Sequence, residues 1–144
     1  MGKQFPCAVI DSISAFLHLI SPMDPQMTLF SPSCIAIAGD SAGGGLTVAV
    51  LLALREAHIQ QPAAAVCLSP WLDLKHSMGS FQTNARFDYL PDRVNDPVLN
   101  SQLHYYAPNE ELENPFVSPL YCQDLGGLAP ILIVRNCWTF DRHT

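Results

Sequence analysis

Residues 34–46 read Cys34-Ile35-Ala36-Ile37-Ala38-Gly39-Asp40-Ser41-Ala42-Gly43-Gly44-Gly45-Leu46, and this stretch decides the fold. Its first part, residues 34–38, is an apolar run that stops at Gly39. A short strand apolar on both faces is what a parallel sheet buries. Residues 42–58 are apolar nearly all round until Arg55-Glu56, which predicts a helix surrounded by protein. Between the two lies Gly39-Asp40-Ser41-Ala42-Gly43, a G-x-S-x-G motif placed directly after a strand and directly before a helix. So sharp a turn strains the central residue, and the flanking Gly39 and Gly43 are expected to be small for steric reasons. The turn would lift the Ser41 hydroxyl clear of the sheet and aim the Ala42 N–H at a developing oxyanion, with the helix N-terminus on the same side. Asp40 is expected to support the turn rather than to exchange protons. The plainer alternative is a glycine-rich turn that only lets the helix pack close to the sheet.

Two other readings of the glycine cluster fail. A dinucleotide fingerprint needs glycine two residues after Gly39, where Ser41 stands. A phosphate-binding P-loop needs lysine after Gly44, where Gly45 stands, and Asp40 would repel a phosphate.

Outward from this centre, Val9, Ile10, Ile13, Phe16, Leu17 and Ile20 recur at helical spacing, so residues 6–20 predict an amphipathic helix, ended by Ser21-Pro22 and Asp24-Pro25. Residues 64–68 and 131–134 predict two more buried strands. Residues 75–97 are irregular, and a short helix fits Val98 to Tyr106, with Leu99, Leu103 and Tyr106 on one side. The prolines and glycines of residues 107–130 predict loops. Strands alternating with helices give the α/β class, a parallel sheet with flanking helices. Three strands and three helices are too few to cover both faces of such a sheet.

The chain has 144 residues, enough for one domain with a core. Hydrophobic residues are 49 % and charged residues only 14 %, against about 25 % charged in an average chain, which excludes intrinsic disorder. A net charge of −6 argues against nucleic acid as a partner. The five cysteines form no C-x-x-C pair, and no histidines have metal-ligand spacing, so no metal and no cofactor are expected. Cys34 and Cys67 lie in apolar runs and are expected to be reduced core residues, which favours the cytoplasm. Asp11 and His18 interrupt the first apolar stretch, so no signal peptide is expected, and no run is long enough for a membrane span.

Four segments carry a family resemblance: Ile37-Ala38-Gly39-Asp40-Ser41-Ala42-Gly43-Gly44-Gly45-Leu46, Leu68-Ser69-Pro70-Trp71-Leu72-Asp73-Leu74, Asn114-Pro115-Phe116-Val117-Ser118-Pro119-Leu120 and Leu128-Ala129-Pro130-Ile131-Leu132-Ile133. Together, and in this order, they resemble the hormone-sensitive-lipase-like branch of the α/β-hydrolases. The resemblance runs from about Phe5 to Val134, and its Gly-Asp-Ser-Ala-Gly-Gly form is far more specific than G-x-S-x-G alone. It implies part of an α/β-hydrolase fold and a carboxylester hydrolase acting on a small ester through an acyl-enzyme. Ser41 would be the nucleophile, Ala42 the oxyanion backbone donor, and Gly39, Asp40 and Gly43 the elbow.

The same resemblance marks departures. The family carries a His-Gly-Gly motif before the nucleophile, and no His-Gly-Gly occurs in this chain. The family's acid falls at Thr139 here, and Asp141 is two residues out of register. The base comes last in chain order, where His143 stands beside the end of the sequence. His58 would sit about 25 Å along the helix from Ser41. His18, His76 and His104 read as surface or loop residues. Trp71 and Asp73 either shape the site or close a turn, with the turn preferred; Phe81, Phe87 and Tyr89 either line an acyl pocket or form a satellite core. The chain thus reads as a hydrolase core fragment over residues 1–134, cut at both ends, with a divergent tail at 135–144. Three functional expectations follow: an esterase that is weak or inactive in this form, a non-catalytic remnant that binds protein or itself through an exposed sheet, or one part of a longer gene product.

Overall fold

The apolar run after Ser41 becomes the centre of the molecule. In the computed structural model, which describes residues 4–21, 26, 28–79, 83, 97–108 and 111–135, helix α2 spans Ala42–Glu56. Nine of its residues are buried, from Gly44 to Leu54, because it is covered on several sides. Helix α1, Cys7–Ile20, lays Val9 and Phe16, with Ile13 and Ile20 beside them, against Ala49, Val50 and Leu54. These four α1 positions follow a single 3.6-residue stripe. Ile10 and Leu17, which share the apolar periodicity, lie off the stripe and are exposed. On another side, Leu51 packs with Ala65 and Ala129, and Val48 and Leu52 pack with Cys67.

Three parallel strands lie beneath α2 in the order β1 (Ala36–Asp40), β2 (Ala64–Leu68) and β3 (Ile131–Val134). Ala36 pairs with Ala64, and Ala65 with Ile131. The strands at 64–68 and 131–134 fall where the sequence places them. The first strand begins two residues later than expected, because Pro32–Cys34 forms a 3₁₀ turn, with the Cys34 N–H donating to the Ser31 carbonyl. Cys34 is therefore exposed, not a core residue, while Cys67 is buried and its thiol pKa is pushed up by that burial.

Alternation along the paired strands puts Ile37, Gly39, Ala65, Cys67 and Ile131 on the face toward α2. The opposite face carries Ala36, Ala38, Val66, Leu68, Leu132 and Val134, and it is open among the described residues. Leu132 is 59 % and Val134 47 % exposed. The expectation of strands buried on both faces is thus corrected: these strands are apolar on both faces, but the described helices cover only one. The shortage of elements counted from the sequence has this structural consequence.

Helix α3, Pro97–Tyr106, starts at a proline, whose missing N–H would be unpaired at a helix start in any case. Leu103 is buried, and the Phe5 N–H donates to the Tyr106 carbonyl, joining the residues before α1 to the end of α3. Among the described residues no helix is long and apolar enough to cross a membrane. The long loop expected at 75–97 is described only as far as residue 79 and at residue 83.

The end of α2 is set by His58, which adopts a left-handed backbone with φ 56°. Its N–H donates to the Arg55 carbonyl, and the Ile59 N–H donates to the Leu54 carbonyl. This is the Schellman arrangement, with histidine where glycine is usual. Arg55 then reaches the carbonyls of Asp124 and Gly126 at 2.8 and 3.0 Å, tying the helix end to the loop before β3.

Burial under α2 and exposure on the open face predict opposite outcomes for equally apolar residues. Leu51→Ala should cost about 3 kcal/mol in urea unfolding, because Leu51 is fully buried. Val134→Ala should stay within about 0.5 kcal/mol of the unmodified chain.

Candidate active site

β1 ends at Asp40 and α2 begins at Ala42, so the whole change of direction falls on Ser41. Its backbone takes φ 52° and ψ −118°, a conformation that a residue with a side chain rarely adopts and that costs about 1–3 kcal/mol. The surroundings hold it there. The Ser41 N–H donates to the Leu68 carbonyl at 2.9 Å, extending the β1–β2 ladder by one step. The Ser41 carbonyl accepts from Gly44 at 3.1 Å, from Gly45 at 3.2 Å and from the backbone N–H of Trp71 at 2.8 Å. Ser41 itself is exposed. Ala42 is the first helical residue, so its N–H is one of those at a helix start with no carbonyl a turn earlier.

The glycines around the turn do different work. A Cβ on Gly39 would lie 2.2 Å from the Gly43 carbonyl oxygen. One on Gly44 would lie 2.7 Å from Pro70 Cβ, and one on Gly45 would lie 2.2 Å from the Trp71 carbonyl oxygen. A Cβ on Gly43 would meet nothing within 4 Å among the described residues. The steric expectation holds for Gly39 and is corrected for Gly43: the residues that must be small on the helix are Gly44 and Gly45, because the chain after β2 passes directly over them.

Asp40 pairs through its backbone with Leu68 and stands at the exposed end of β1, so its part in the turn is that of a strand residue. His18, His58 and His104 are exposed, and His58 serves as the helix terminator described above. His76 is half-buried and stacks on Trp71, with ring centroids 5.4 Å apart and planes within 4°. The sequence reading of His76 as a plain loop residue missed this. Phe81, Phe87, Tyr89, Thr139, Asp141 and His143 lie outside the described residues.

A cavity of about 320 Å³ begins at Ala42 and Gly43 and is walled by Leu46, Trp71, Tyr106 and Phe116, among others. That is the lower end of the range for small-molecule sites. Tyr106 is partly buried, which pushes its phenol pKa up, and its ring meets Phe5 edge-on. Asp73, preferred from sequence as a turn residue, is buried and accepts hydrogen bonds from the Lys75 and Ser77 N–H groups at 3.0 and 2.7 Å. The Asx-like spacing Asp73-x-Lys75-x-Ser77 was the available signal for it.

A parallel sheet flanked by helices in this order finds its counterpart in known proteins. A family model of the α/β-hydrolase fold matches residues 2–139. The chain belongs to the α/β-hydrolases. Within them it is of the hormone-sensitive-lipase-like kind: it superposes on the crystal structure of an esterase from the bacterial hormone-sensitive lipase family with a TM-score of 0.79 at 40 % identity, covering 94 % of this chain and 42 % of that one. A crystal of the esterase EstE5 soaked with p-nitrophenyl butyrate gives a TM-score of 0.77 at 35 % identity, over 91 % of this chain and 40 % of that one. An acetyl-hydrolase of Streptomyces hygroscopicus is 40 % identical over 131 residues, 91 % of this chain and 40 % of the relative. This α/β-hydrolase chain therefore spans about 40 % of the length of the relatives it matches.

The contacts of the glycines give a direct test by urea unfolding. Gly45→Ala should destabilise the α/β-hydrolase chain by about 2 kcal/mol or more, since backbone must move. Gly43→Ala should be neutral or stabilising by up to about 1 kcal/mol, since alanine is the better helix former and meets no obstacle.

Proposed function

We propose that the chain is part of a serine carboxylester hydrolase that acts on a small ester, with Ser41 as nucleophile. The observation that carries this reading is the strained Ser41 backbone at the junction of β1 and α2. A side chain presented from such a turn is the form a nucleophile elbow takes. The esterases and acetyl-hydrolase to which the chain is similar support the reaction class. In the proposed reaction the Ser41 Oγ attacks the ester carbonyl carbon, and its proton passes to a base. The Ala42 N–H donates to the tetrahedral oxyanion. The carbon–oxygen bond to the alcohol then breaks, the alcohol leaves with a proton, and water releases the acid from the acyl-enzyme. Gly39, Asp40 and Gly43 complete the elbow in this reading.

The division of the chain is part of the same proposal: residues 1–134 as hydrolase core and 135–144 as a divergent tail. So is a cytoplasmic setting, supported by the free thiols of Cys7, Cys34, Cys67 and Cys122. No catalytic base or acid is assigned among the described residues. Removing the base from a serine hydrolase costs about 10⁶ in kcat. Turnover by these 144 residues alone should accordingly be small. The decisive comparison is hydrolysis of p-nitrophenyl acetate by the chain and by Ser41→Ala. Turnover above the Ser41→Ala rate supports Ser41 as nucleophile, and equal rates reject catalysis by Ser41 in these 144 residues.

A second reading, protein binding without catalysis, is favoured by the sheet face left open among the described residues, where Leu68, Leu132 and Val134 are 45 %, 59 % and 47 % exposed. Apolar area of this kind, beside a strand edge, promotes association. Size-exclusion chromatography should show association that Leu132→Lys reduces. A monodisperse monomer of the unmodified chain rejects this reading.

A further inference from the structure

We infer that Asp73 is a positioning residue for Ser41, acting through the backbone of Trp71; this rests on the reading of Ser41 as the nucleophile. Two of the hydrogen bonds that hold Ser41 come from outside its own helix, and both come from one short segment. The Leu68 carbonyl accepts from the Ser41 N–H, and the Trp71 N–H donates to the Ser41 carbonyl. That segment is itself unusual, because Ser69 within it has φ 43° and its N–H donates to the Val134 carbonyl. Left to itself, such a loop would relax and release Ser41 from its strained conformation.

What fixes the loop is a buried carboxylate two residues further on. Asp73 is 4 % exposed. One carboxylate oxygen accepts from the Lys75 N–H at 3.0 Å. The other accepts from the Ser77 N–H at 2.7 Å and the Ser77 hydroxyl at 3.0 Å. The Tyr121 hydroxyl donates to Ser77 Oγ at 2.9 Å, so the knot is tied to a distant part of the chain. The Asp73 carbonyl in turn accepts from the Trp71 indole Nε1–H at 2.9 Å. His76, held within the same winding, stacks on the Trp71 ring. Trp71 is thereby gripped at its ring by Asp73 and His76, while its backbone grips Ser41. A buried carboxylate with several N–H and O–H donors is a rigid node, since each bond it loses leaves a buried group unsatisfied.

The test uses the full chain and two variants, Asp73→Asn and the milder Ser77→Ala, which keeps the carboxylate and removes one donor. The first readout is hydrogen exchange at the Trp71 amide, measured against amides in the middle of α2. The second is the rate at which phenylmethylsulfonyl fluoride sulfonylates Ser41, followed by mass spectrometry, with Ser41→Ala as the blank. Asp73→Asn should lose at least tenfold in Trp71 amide protection and at least tenfold in Ser41 labelling, with α2 protection kept. Ser77→Ala should move both in the same direction by a few-fold. A merely structural role would lower protection across α2 as well, without a selective loss at Trp71. If Asp73→Asn fails to fold, Ser77→Ala decides alone. Unchanged Trp71 protection overturns the inference, and so does lost protection with an unchanged labelling rate. If Ser41 of the unmodified chain is not labelled at all, as the lack of an assigned base allows, exchange at the Trp71 amide decides alone. Selective loss at the Trp71 amide would then still mark Asp73 as the anchor of the loop.

Discussion

The backbone of Ser41 is the constraint on which the rest of the structure depends. One residue turns a strand into a helix, and it does so in a conformation that side chains disfavour. The hydrogen bonds to Leu68 and from Trp71 make that conformation the stable one, and they exist only because β2 lies beside β1 in register. The pentapeptide places the turn, and the sheet holds it in its strained conformation. The loop after β2 lies so close to α2 that only glycine fits at 44 and 45. The same closeness lets the Trp71 N–H reach the Ser41 carbonyl.

The second organising fact is the asymmetry of the sheet. α2 is nearly encircled, by α1, by the α2-facing residues of the strands and by the loop that carries Phe116 and Leu128. The other face of the strands has no described cover. A core concentrated around one helix explains how a short chain can hold so strained a turn at Ser41. Among the described residues nothing covers that face, so apolar residues on all three strands meet solvent. Hydrophobic burial is strong on one side and unused on the other.

The elements themselves were largely legible. The helical stripe Val9-Ile13-Phe16-Ile20, the all-round apolar run after Ser41 and the strands at 64–68 and 131–134 follow from periodicity, because one face or every face of each element is apolar. The failures have local causes. Cys34 looked like core because its neighbours are apolar, but Pro32 turns the chain before the strand begins. Gly43 looked like a steric necessity because it belongs to the motif, whereas the crowding falls one and two residues later. His58 looked like a remote titratable group and is a helix terminator, a role ordinarily marked by glycine and so invisible here.

The sequence by itself determined the order of the elements, the α/β class, the strand–serine–helix junction and, through four segments spread along the chain, its family. Those features are local: they depend on side-chain size and polarity within a few residues. Tertiary structure alone decided which glycines are indispensable, that Asp73 anchors the loop above Ser41, that His76 lies on Trp71, and which face of the sheet the described helices cover. Each of these depends on atoms brought together from distant positions, and no spacing within a single segment encodes that meeting.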